Sequence, residues 1–76
     1  KRLKLVGLLR NACVVAGNSG DVSVLPQLVH LAETHESPLV RAHAVWAAYR
    51  LGGGAQLADP ASREVDPIVL AEYAAK

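Results

Sequence analysis

The stretch Leu9-Arg10-Asn11-Ala12-Cys13-Val14-Val15-Ala16-Gly17-Asn18-Ser19-Gly20-Asp21 decides the fold. It reads as the end of one helix, a tight polar turn and the cap of a second helix. The pattern returns in Val40-Arg41-Ala42-His43-Ala44-Val45-Trp46-Ala47-Ala48-Tyr49-Arg50-Leu51-Gly52. Shifted by about 32 residues, Ala12 falls on Ala44, Ala16 on Ala48 and Gly20 on Gly52. A recurrence of that length marks stacked helical hairpins, in which each unit buries its apolar face against the next.

Outward from these two copies, four helices are expected, over residues of about 3–16, 22–33, 38–51 and 67–75. In the first, Leu5, Leu8, Leu9, Ala12 and Ala16 form the expected buried stripe, widened by Val6, Cys13 and Val14. Gly7 suits a close approach of a neighbouring backbone, and Gly17 with Gly20 supplies the left-handed residues that end the helix. Asp21 is the expected cap of the second helix, whose buried stripe is Leu25, Leu28, Val29 and Ala32, with Pro26 near its start. Ser37-Pro38 opens the third helix, with Val40, Ala44, Ala47, Ala48 and Leu51 inward and Leu39, His43, Trp46 and Arg50 along an adjacent side. Ala55 to Ala58 can form a turn or two before Asp59-Pro60, and Asp66-Pro67 repeats the cap-and-proline start of Ser37-Pro38. No segment alternates with period two, so no strand is expected. The expected fold is all-α: four to five short helices in a right-handed, HEAT-like α-solenoid stack, forming one module over residues 1–76.

Ala, Val and Leu dominate a composition that is 51% hydrophobic and 4% aromatic, with no Phe or Met, which suits closely spaced helices. The net charge of +1 conceals a division. Residues 1–20 hold Lys1, Arg2, Lys4 and Arg10 and no acid, a charge of +4, whereas residues 21–76 carry −3. A basic end of this kind suits phosphate or an acidic neighbouring domain, or is simply solvated. The chain opens mid-pattern without an initiating methionine, as a piece of a larger protein would. A single cysteine excludes a disulfide framework and any cysteine-built cluster or zinc site within this chain, and it fits a reducing cytoplasm. Arg10 and Asn11 interrupt the first apolar run, which excludes a signal h-region or a membrane span.

Val40-Arg41, Ala44, Ala47-Ala48, Leu51 and Gly52 resemble a HEAT-like repeat of the short, phycobilisome-lyase type. A narrower resemblance covers roughly residues 8 to 52. Leu9-Arg10-Asn11-Ala12, Gly17-Asn18-Ser19-Gly20-Asp21, Leu25-Pro26 and Val40-Arg41-x-His43-Ala44-x-Trp46-Ala47 together resemble the C-terminal region of epoxyqueuosine reductases. The resemblance implies a cytoplasmic parent enzyme, dependent on cobalamin and two [4Fe–4S] clusters, that reduces epoxyqueuosine to queuosine in tRNA. It places the cofactor ligands and catalytic groups upstream of this region and none of them on a residue here. The partners it implies are the upstream catalytic domain and tRNA. Cys13-Val14-Val15-Ala16 departs from the leucine-rich run expected of close relatives, and the tail after Gly53 has no distinctive match.

The candidate contact residues are therefore Lys1, Arg2, Lys4, Arg10, Asn11 and Arg41, for tRNA or for the catalytic domain. Each has a structural reading beside the functional one. Asn11 can satisfy a backbone group while Arg10 extends to solvent, and Arg41 can tie the inter-helix turn through Glu36 or Asp21. His43 and Trp46 read as packing residues, although Trp46 can also stack on a nucleobase. Gly52-Gly53-Gly54 follows a helix and so terminates it; it is no phosphate cradle. No catalytic constellation is present, and the competing assignment is a non-enzymatic repeat scaffold for protein–protein interaction.

Overall fold

The computed structural model describes residues 2–75, with side chains from Lys4 onward. All of the regular structure among the described residues is helical: α1 (Arg2–Ser19), a 3₁₀ turn (Val22–Val24), α2 (Leu25–Thr34), α3 (Pro38–Arg50), a second 3₁₀ turn (Gly54–Leu57), α4 (Ala58–Arg63) and α5 (Pro67–Ala75). The recurrent glycine turn seen in the sequence is present in the backbone. Gly20 and Gly52 carry φ of 72° and 80°, the left-handed conformation that glycine adopts without a Cβ clash. Each is followed by a 3₁₀ turn that leads into a helix. The second unit is the shorter one, because α4 has 6 residues where α2 has 10.

Local chemistry sets the helix starts. Asp21 accepts from Ser23 N–H at 3.0 Å, so it caps the 3₁₀ turn rather than α2 itself. Pro26 then falls in the first turn of α2, where a missing N–H leaves nothing unsatisfied. Ser37 Oγ accepts from Val40 N–H ahead of α3, with Pro38 at the first helical position as expected. Asp66 accepts from Ile68 N–H at 2.9 Å and serves α5 in the same way. The sequence pattern breaks at Asp59-Pro60, yet α4 runs through both. Pro60 lies in its first turn, where the proline ring costs no hydrogen bond, and it is buried.

Helix α3 is the hub, with α1, α2 and α5 all packed on it. Val40, Ala44, Val45, Ala47 and Ala48 on α3 are fully buried, and Leu28, Ala32, Leu57 and Val69 complete the core from the surrounding elements. An alanine-rich helix can accept three neighbours because short side chains let backbones come close. Helix α1 comes close to α3 at Gly17, where a Cβ would lie 2.8 Å from the Trp46 ring and 3.0 Å from Ala47 Cα.

Three expectations for α1 are corrected here. The helix continues through Gly17 to Ser19, so Gly20 alone turns the chain. Close approach belongs to Gly17 and not to Gly7, around which a Cβ would find nothing within 4 Å. The buried face is also rotated from the expected stripe. Cys13 and Gly17 are buried, with Val6, Leu9 and Ala16 half-buried, while Leu5, Leu8, Ala12 and Val15 face outward. A helix apolar on two sides carries no record of which side its neighbour takes.

Candidate functional site

His43, Trp46 and Arg50 share one face of α3 by helical spacing, the adjacent stripe expected from the sequence. That face opens between α1 and α5 as two adjoining depressions. One, of about 450 Å³, lies among Trp46, Tyr49, Arg50, Glu72 and Ala75. The other, of about 340 Å³, lies among Val14, Asn18, Ala42, His43, Trp46 and Glu72. Trp46 and Glu72 belong to both. The Arg50 guanidinium sits 5.3 Å from the Trp46 ring centroid, a cation–π contact that holds the cation over the groove. His43 Nδ1 lies 2.9 Å from Leu39 O, so a proton on Nδ1 leaves Nε2 as an acceptor. The groove thus offers an aromatic face, a guanidinium, a carboxylate and an amide, which is the chemistry of binding.

Arg41 sits elsewhere and makes four hydrogen bonds within the protein. Its Nε donates to Glu64 Oε1 at 3.0 Å and its Nη2 to Oε2 at 3.2 Å, a two-pronged pairing. Its Nη1 donates to the carbonyls of His35 and Glu36, at 2.8 and 3.2 Å, which fixes the turn before α3. The turn-tying contact is therefore made, but the carboxylate bound in this fork is Glu64; Asp21 instead bonds Ser23. Burial alone would raise the Glu64 carboxyl. The Arg41 bonds and charge, together with the N–H groups of Asp66 and Val65, outweigh it and hold the group below the usual carboxylate range. The four Arg41 bonds all go to protein oxygens, the turn-tying role expected beside the contact role.

Lys4 and Asn11 are exposed on one flank of α1, seven residues apart and so on the same side; Asn18, seven further on, reaches the groove. Arg10 is half-buried and points about 100° away from Asn11 around the helix. Among the described residues Lys4 and Arg10 have no ion pair. Asn11 is exposed, and among the described residues it makes no hydrogen bond to the neighbouring turn. Lys1 and the Arg2 side chain lie outside the described residues. Lys4, Asn11 and Asn18 thus lead toward the Trp46 groove, while Arg41 stands apart.

The residues of this chain do not fit the iron–sulfur clusters implied for a parent enzyme. A [4Fe–4S] cluster takes four thiolates, and Cys13 is the chain's one cysteine. Its thiol is buried on α1, which pushes its pKa up and keeps it protonated. Among the described residues no group of three or more His, Cys, Asp and Glu is placed to hold a metal ion, and no helix is long and apolar enough to cross a membrane.

Sequence reasoning missed three residues. Glu64 is 23 positions from Arg41, and no local spacing signals the pairing. Glu72 and Tyr73 lie in the tail that carried no distinctive pattern. Tyr73 packs edge-on against Tyr49 with ring centroids 6.2 Å apart, and its buried hydroxyl has no hydrogen-bond partner among the described residues. Burial pushes its phenol up to about 12, with the Glu64 carboxylate and Tyr49 adding to the shift and Arg41 offsetting part of it. Compared with protein-family models, with curated proteins and with solved structures, the chain finds no match.

Proposed function

We propose that the chain is the C-terminal helical-repeat module of an epoxyqueuosine reductase, a cytoplasmic enzyme, and that it carries no catalytic residue itself. Its role in that reading is to hold tRNA or to pack on the catalytic domain. Cobalamin and the two [4Fe–4S] clusters then belong to the parent. Support comes from the resemblance over residues 8 to 52 and from the repeat register. The observation that carries tRNA holding is the free cations of α1. Lys4 and Arg10 are unpaired cations among the described residues, and Asn18 on the same helix borders the groove around Trp46.

The test is tRNA affinity measured across a salt series. For every phosphate that the protein no longer neutralises, the slope of log affinity against log salt should shrink by about 0.9 for duplex and about 0.7 for single-stranded regions. Lys4→Ala with Arg10→Gln should weaken binding and flatten that slope. Unchanged affinity and slope would remove tRNA holding from the module. A second reading, a repeat scaffold that binds protein, is favoured by the outward apolar residues of α1, with Leu8 63% and Val15 69% exposed. Loss of epoxyqueuosine reduction when the module is deleted from the full-length protein would favour the reductase, and no such activity in that protein would favour the scaffold.

A further inference from the structure

The outward face of α1 has counterparts elsewhere in the molecule, and both are covered. The 32-residue register that superposes Gly20 on Gly52 also superposes Leu8, Ala12 and Val15 on Val40, Ala44 and Ala47. Those three residues of α3 are 0% exposed, and Gly17 of α1 lies directly on Ala47. Aligning the capping residues Ser37 and Asp66 superposes Val40 and Ala44 on Val69 and Tyr73 of α5. Those two are buried as well, with Tyr73 against Tyr49 of α3. At Ala47 the stripe of α3 receives α1, and at Tyr73 the stripe of α5 receives α3. On α1 the same stripe is bare.

We infer that the Leu8–Ala12–Val15 face of α1 is a docking surface for an amphipathic helix of a neighbouring protein domain, seated as α1 is seated on α3. The chemistry of the occupant follows from the two covered copies. On Ala47 the seated residue is a glycine. A valine in that place on α1 holds the incoming backbone farther off, so alanine or glycine fits at closest approach. Leu5, 53% exposed, extends the patch toward the start of α1. Together these side chains present on the order of a few hundred Å² of apolar surface, the size that marks an interaction site on a small monomer. Residues 1–20 contain no acid, and Lys4 stands at the rim without an ion pair among the described residues. The fitting helix therefore carries carboxylates along its edge. This deepens the reading of the chain as a packing module and needs neither tRNA nor the reductase reaction, so either can fail without the other.

A helix that matches the register is already known: α1 itself. The probe is a stapled peptide of residues 2–19 carrying Arg2→Glu, Lys4→Glu and Arg10→Glu, titrated into the intact chain and followed by amide chemical shifts. Saturable binding is expected, with shifts centred on Leu5, Leu8, Ala12 and Val15. Val15→Glu in the protein should weaken it by about tenfold or more, because the charge would be buried, while Ile68→Glu on the exposed side of α5 should leave it unchanged. Both positions are exposed, so each variant should keep its fold, which a thermal melt verifies. No saturation at peptide concentrations of about 1 mM, or shifts centred on the Trp46 groove, would overturn the assignment. Self-association of the unmodified chain that Val15→Glu abolishes would also overturn it, by assigning the face to a second copy.

Discussion

Gly17→Ala separates close packing from helix propensity, because the two act in opposite directions. Alanine in a helix interior is favoured over glycine by about 1 kcal/mol. At Gly17 the new Cβ would stand 2.8 Å from Trp46 Cζ3, 3.0 Å from Ala47 Cα and 3.1 Å from Ala47 Cβ. The half-buried Trp46 ring can swing aside, but Ala47 Cα belongs to the hub helix, which moves only if α2 and α5 move with it. Overpacking of this kind costs about 1–3 kcal/mol, so the net effect should be a loss of up to about 2 kcal/mol after the propensity gain of about 1 kcal/mol. In a domain of this size a change of 1 kcal/mol shifts Tm by about 4–8 °C. Gly7→Ala is the control, with open space around the added carbon, and should raise Tm by about that amount. Melts followed by far-ultraviolet circular dichroism and by Trp46 fluorescence should give the same order: Gly7→Ala, wild type, Gly17→Ala. A Tm for Gly17→Ala equal to or above that of Gly7→Ala would refute the close approach of α1 and α3.

Arg41→Ala should cost about 3–5 kcal/mol at neutral pH, since it strands a carboxylate whose side chain is 4% exposed. Because the folded Glu64 carboxyl is held low, its contribution is complete above the unfolded value of about 4.3 and is lost as pH falls through the folded one. Urea midpoints between neutral and acid pH should therefore fall for the wild type and stay flatter for Arg41→Ala; parallel acid limbs would contradict the pairing. Tyr73→Phe should be neutral or stabilising by up to about 1 kcal/mol, because it removes a buried hydroxyl that has no partner among the described residues. The Tyr73 phenol is raised, so its contribution is intact below the unfolded value of about 10 and lost as pH climbs toward about 12. Urea melts at alkaline pH should show a shallower loss in Tyr73→Phe than in wild type, and a destabilisation above about 1 kcal/mol at neutral pH would mean that the hydroxyl is bonded.

Helix α3 was legible almost residue by residue. Its capping serine, its proline and its inward alanines all act locally or at helical spacing, and each stands where the sequence puts it. The register of the repeat was legible for the same reason, since a glycine that must adopt positive φ marks its position whatever packs around it. The face of α1 was not legible. Leucine, valine, alanine and cysteine surround that helix, and burial at Cys13 instead of Ala12 is decided by a neighbour 30 or so residues away. The candidate site divides along the same line. The His43–Trp46–Arg50 stripe is a property of one helix and could be read from it. Glu72, which completes the groove, and Glu64, which pairs with Arg41, come from the tail, and only tertiary structure brings them there.

The charge division of the sequence gains a physical meaning from where the acids are placed. Glu64 neutralises Arg41, and Glu33 pairs with Arg63. Asp66 holds the first turn of α5, and the Asp21 carboxylate is kept below its usual range by the Ser23 hydroxyl and N–H. These four acids are thus tied to turns, helix starts and ion pairs outside α1, at short range. Helix α1 has no acid to answer its cations, and the counter-charges just named belong to elements that follow it. At physiological salt a charge is screened within about 8 Å, so ion pairs bound into the second half do little for a partner approaching α1. The cationic flank and the uncovered apolar stripe lie on the same helix. A partner drawn by the first arrives beside the second, and an acidic amphipathic helix is one ligand that uses both.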